Sequence, residues 1–100
     1  MNKLQEIKQR AEKFFRGQVI DKDVFYDWIH TNLYLCISDL CECVQEINKE
    51  YEGEDLLDVD KDYLYWKGMW DWLEAIVSTY FDKYIRDNAK KWGATFAEDF

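Results

Sequence analysis

The side chains with the greatest chemical reach are carboxylates, and they crowd into one short run: Glu50-Tyr51-Glu52-Gly53-Glu54-Asp55-Leu56-Leu57-Asp58-Val59-Asp60-Lys61-Asp62. Seven of these residues are acidic (Glu50, Glu52, Glu54, Asp55, Asp58, Asp60 and Asp62), against the single cation Lys61. From Glu42 to Asp62 nine acids face two bases, a local charge of −7 in a chain whose net charge is −8. A field so concentrated can steer or hold something positive, or it can simply solvate a turn. Asp58, Asp60 and Asp62 also stand at the alternate positions that open a calcium loop. Such a loop needs glycine at its sixth position and a bidentate glutamate at its twelfth, and here Tyr63 and Met69 occupy them. The same aspartates suit a helix start, where each negative side chain is worth ~0.3–1 kcal/mol against the dipole.

His30 has Asp27 and Asp23 one and two turns before it. With serine only at Ser38 and Ser78, no glycine-rich loop and no nucleophile elbow, it belongs to no catalytic constellation, and the chain reads as a non-enzyme. Cys36, Cys41 and Cys43 are an odd set inside one helical segment. At 100° per residue Cys41 and Cys43 point to nearly opposite sides, so they neither chelate one metal nor close a bridge. With one histidine in the chain a zinc site is not expected, and neither is a cofactor; the thiols read as free and buried or half-buried.

The elements that must position these groups are helical. The 100 residues suffice for one domain, residues 1–100, with 48% apolar and 18% aromatic residues to supply its core. A pI near 4.5 argues against nucleic acid or an anionic bilayer as partner, since both are held by Lys and Arg, and favours a basic protein. The polar N-terminus and the absence of a ~20-residue apolar run predict a soluble, cytoplasmic protein.

Leu4, Ile7, Ala11, Phe14 and Phe15 predict a first helix over 2–16, closed by Gly17. Its other face carries Lys3, Lys8, Arg10, Lys13 and Arg16 against Glu6 and Glu12. After Gln18-Val19-Ile20, Asp21 is the expected N-cap of a second helix, with Ile20 and Phe25 as a hydrophobic staple. The apolar spacing from Phe25 through Trp28, Ile29, Leu33, Cys36, Ile37 and on to Tyr51 predicts one unbroken helix of about 28 residues, ~42 Å long, ended by Gly53. A third helix is expected from Asp58 or Asp60 to about Trp92, with Gly93 as terminator and a close helix crossing at Gly68. Phe96 and Phe100 either dock or stay loose. Without proline or hairpin signals, strands have almost no support. The predicted fold is all-α: an antiparallel bundle of three helices built on two long ones, or four if Leu56-Leu57 or the tail adds a short one.

Trp66, Trp70, Trp72 and Trp92, with Tyr63, Tyr65, Tyr80 and Tyr84, exceed what a small core takes in whole. Tyr63 and Tyr65, beside the acidic run, are the expected interface anchors, because an aromatic ringed by carboxylates grips a basic surface.

The stretch Phe14-Phe15-Arg16-Gly17-Gln18-Val19-Ile20-Asp21-Lys22-Asp23-Val24-Phe25-Tyr26-Asp27-Trp28 resembles the start of colicin D-type immunity proteins. There a first helix ends in Phe-Leu-x-Gly-x-Ile or similar, and the next begins with an acidic turn containing Phe. Related small immunity proteins accompany contact-dependent-inhibition toxins. The resemblance implies a small acidic helical bundle that occludes the cleft of a basic toxin nuclease, with carboxylates standing in for phosphates. It covers the helix junction alone, so it carries over no binding residue.

The expectation from the sequence is therefore an acidic inhibitor of a basic nuclease. Glu46, Glu50, Glu52, Glu54, Asp55, Asp58, Asp60 and Asp62 would supply the charge, and Tyr63 and Tyr65 the anchor. Two alternatives stay open. One is a phage-encoded acidic DNA mimic aimed at a host defence protein; the other is a non-enzymatic helical adaptor or dimerisation module whose aromatic stripe mediates association. The chain is expected to be a monomer or homodimer, a monomer favouring the inhibitor and a stable dimer resistant to high salt favouring the adaptor.

Overall fold

Asn2 starts the first helix by accepting the Gln5 backbone N–H at 2.8 Å, while the Gln5 side chain reaches back to the Asn2 N–H, a complete capping box. The structure, a computed structural model, describes residues 2–50, 70–98 and 100, without the side chains of Trp70 and Trp72. Helix α1 spans Lys3–Phe15 and buries Leu4, Ile7, Ala11 and Phe15, a single narrow stripe. Phe14, expected in that stripe, is 49% exposed, because it stands 100° round the helix from Phe15.

The protein is mostly helical, but the all-α expectation needs one correction. Val19–Ile20 (β1) pairs in parallel with Thr95–Phe96 (β2), in the register Val19↔Thr95 and Ile20↔Phe96. The cause lies in two glycines. Gly17 and Gly93 both adopt positive φ, 69° and 72°, and each stands two residues ahead of a strand. The Gly17 N–H donates to the Trp92 carbonyl at 3.0 Å, so the two helix ends lie side by side and release their chains in the same direction. The tail docks rather than staying loose: Phe100 meets Phe25 edge-on at 5.0 Å and Phe96 at 4.7 Å, under the Arg86 guanidinium 4.4 Å from its ring.

A second correction concerns the long second helix, which is two. Asp21 caps α2 (Lys22–Asn32) as expected, accepting the Val24 N–H at 2.8 Å. The helix then stops: the Leu33 N–H makes the last bond, to the Ile29 carbonyl, and the Asn32 side-chain amide donates to the Trp28 carbonyl at 2.9 Å. Asn and the β-branched Thr31 hold a helix poorly. Through the link, burial alternates with period two: Leu33 and Leu35 turn inward while Tyr34 and Cys36 face solvent. Cys36 is thus an exposed thiol rather than part of the stripe.

Helix α3 (Ile37–Glu50) packs against both α1 and α4 (Trp70–Asn88). That position explains why Cys41 and Cys43, on opposite sides of α3, are both buried. Regular α4 ends at Asn88, and the chain continues for one tightened turn. The Ala94 N–H donates to the Ala89 carbonyl at 2.8 Å and the Gly93 N–H to the Lys90 carbonyl at 3.1 Å, the paired bonds of a Schellman cap with Gly93 at its left-handed position. The expected start of the third helix, the Gly68 crossing and Leu56-Leu57 lie outside the described residues. Among the described residues no helix is long and apolar enough to cross a membrane.

Candidate partner-binding surface

Asp39, Glu42, Glu46 and Glu50 recur on α3 at steps of three and four, which lines them along one face. That face meets the N-terminal half of α1. The Lys3 backbone N–H donates to Glu42 Oε1 at 2.9 Å, and Lys3 Nζ lies 3.8 Å from Asp39 Oδ2 and 3.5 Å from Glu6 Oε2. At the far end of the stripe the Lys8 ammonium pairs with the Glu50 carboxylate, and the Tyr80 hydroxyl donates to the same carboxylate. Lys8 Nζ also sits 5.4 Å and 5.1 Å from the ring centroids of Tyr80 and Tyr84, which stack 6.2 Å apart at 7°. One cation thereby ties α1, the last turn of α3, and α4.

Of the ten residues expected to bind a partner, Glu46 and Glu50 are described. Glu50 is held by Lys8 and Tyr80, and Glu46 Oε1 accepts from Lys49 Nζ at 2.9 Å. Both carboxylates therefore turn toward the chain's own groups. Glu52, Glu54, Asp55, Asp58, Asp60, Asp62, Tyr63 and Tyr65 lie outside the described residues. The clasp of Lys8, Tyr80 and Tyr84 around Glu50 escaped sequence reasoning because its members come from three distant segments and no local spacing marks them.

Other ion pairs lie within single helices. Arg10 pairs with Glu6 and Arg16 with Glu12 along α1, each at 2.7 Å; on α4 Lys83 pairs with Asp87 at 2.6 Å and Arg86 with Asp82 at 2.5 Å. All four are one-turn pairs of modest individual worth. Burial raises the Tyr84 hydroxyl above its ordinary pKa, with Glu12 and Glu50 adding to the rise. The Cys43 thiol is pushed up to about 12, first by burial, then by Glu42 and Asp39, against a smaller opposing pull from Lys3. Burial raises Cys41 too. A raised pKa keeps these thiols protonated, hence poor nucleophiles and poor metal ligands. Among the described residues no group of three or more His, Cys, Asp or Glu could hold a metal ion. His30 is exposed on α2. No known protein family, curated protein or solved structure matches this chain.

Proposed function

We propose that the protein is a non-enzymatic acidic inhibitor of the immunity type, which neutralises a basic nuclease in the cytoplasm by offering carboxylates where the nuclease would hold phosphates. The observation that carries this reading is how the charge divides. The described residues hold 14 acids and 11 bases, and at least seven of each meet in ion pairs. Residues 51–69 hold six acids against Lys61 and Lys67, half the net charge of −8 in 19 positions. A paired body projects little field beyond a Debye length of about 8 Å, whereas an unbalanced run steers a cationic partner toward itself.

The pairing at the end of α3 divides the roles. Glu50 and Glu46 brace the last turn of α3. Glu52, Glu54, Asp55, Asp58, Asp60 and Asp62 would meet the partner, with Tyr63 and Tyr65 as its aromatic anchors. The test is co-purification with the product of the neighbouring gene, expected to be a basic nuclease, followed by titration across salt concentrations. Affinity should fall as salt rises, and reversing Glu52, Glu54, Asp58 and Asp60 to lysine should abolish binding. Glu46→Gln should leave affinity within about twofold, as expected of a carboxylate already engaged. Unchanged affinity in the fourfold reversal would eliminate the proposal.

A further inference from the structure

A groove of about 720 Å³ runs between α1 and α2, and its two lips carry opposite charge. Lys13, Arg10 and the half-exposed Phe14 stand on the α1 lip and Asp27 on the α2 lip, above a floor of Val24 and Trp28. Arg10 is committed to Glu6 at 2.7 Å, while Lys13 and Asp27, both exposed, have no ion pair among the described residues. We propose that this groove is the interface between two copies of the chain related by a two-fold axis.

A two-fold contact sets one patch against itself, so the patch must complement its own rotated image. A groove with one sign of charge repels its copy. A groove with a cation on one lip and an anion on the other attracts it, because Lys13 of each copy faces the partner's Asp27, and the contact is made twice. The apolar shapes complement in the same way. Phe14 is 49% exposed beside a floor whose Trp28 is 4% exposed, so each copy offers a ring to fill the space above Val24 and Trp28 of the other. Gln18 lies at the edge of the groove, and its neighbour Val19, 64% exposed, extends the apolar surface from the end of α1.

Sedimentation equilibrium of the whole chain, from micromolar to millimolar concentration, tests the inference without any nuclease, so its failure and that of the inhibitor reading are separable. The expected result is a monomer–dimer equilibrium that weakens with salt. Lys13→Glu and Asp27→Lys should each weaken it by about tenfold, since either change converts two attractions into two repulsions. The double exchange K13E/D27K should restore it to within about threefold of the parent, with circular dichroism unchanged throughout. A chain that stays monomeric to millimolar concentration overturns the inference. So does a dimer that ignores the single reversals, or one that the double exchange fails to rescue.

Discussion

Removing the Glu50 carboxylate should cost stability, because the structure makes it a brace between helices before it is anything else. Two contributions can be sized. The Lys8 and Glu50 side chains are 21% and 41% exposed, so solvent screens their pair and holds it to about 0.5–1 kcal/mol. Tyr80 is 8% exposed, and its hydroxyl donates to a charged acceptor, a bond worth about 1.5–3 kcal/mol. Glu50→Ala loses both, a total of about 2–4 kcal/mol, which for a domain of this size lowers Tm by about 10–30 °C. Glu50→Gln keeps an acceptor for Tyr80 and loses the ion pair, so about 0.5–1 kcal/mol is expected. Urea denaturation of Lys8→Met, Glu50→Gln and the double variant isolates the pair, with an expected coupling near 0.5–1 kcal/mol. A Glu50→Ala midpoint equal to that of the parent would refute the reasoning: the carboxylate would then be free at the end of α3 and available to a partner.

Gly17→Ala and Gly93→Ala should each destabilise by about 1 kcal/mol, read from the urea midpoint. A Cβ at either glycine meets nothing within 4 Å, so the cost is the left-handed φ alone. Phe100→Ala should cost about 1–3 kcal/mol and raise amide exchange at Ala97, whose N–H donates to the Ile20 carbonyl, because the ring that spans Phe25, Phe96 and Arg86 is gone. Cys43 makes stability pH-dependent in alkali. Its folded pKa of about 12 lies above the ordinary thiol value of 9.0, so its contribution is complete below pH 9. As pH rises from there toward the folded value, the unfolded chain ionises first and stability falls, by up to about 1.4 kcal/mol per pH unit. Urea midpoints between pH 8 and pH 11 should drop more steeply in the parent than in Cys43→Ala, and parallel curves would contradict the burial argument.

The features legible in the sequence are those set by neighbours a few residues apart. The α1 stripe, the Asp21 cap and the two terminating glycines all rest on local backbone demands, and each stands where the sequence puts it. The break at Leu33 is a local signal read with the wrong period. Leu33, Leu35 and Ile37 fit a two-residue alternation, yet Leu33 and Ile37 also fit a helix, and Asn32 decides between them by turning its amide onto the Trp28 carbonyl. The β1–β2 pair was illegible for a different reason. A parallel pairing between segments so far apart has no hairpin turn to announce it, and it exists because the ends of α1 and α4 meet at the Gly17 to Trp92 bond. Phe14 shows the limit of counting apolar residues: adjacent to Phe15, it cannot share the same narrow face.

Charge was harder to read than packing, since a list of carboxylates does not say which are already engaged. The α1 and α4 pairs are visible as i, i+4 spacings, but the partners of Glu50 are separated from it by 42 and 30 positions. The basic surplus of α1 and the acidic stripe of α3 look, taken separately, like two binding surfaces of opposite sign. Folded together they meet each other, Lys3 on Asp39 and Lys8 on Glu50, and cancel at short range. Half of the net charge of −8 belongs to residues 51–69, which follow Glu50 in the sequence. Lys8 and Tyr80 anchor the last turn of α3 to the helices on either side of it. Under the proposed inhibitor reading, Glu46 and Glu50 serve stability, while the carboxylates of residues 52–62 would supply the charge that the partner meets.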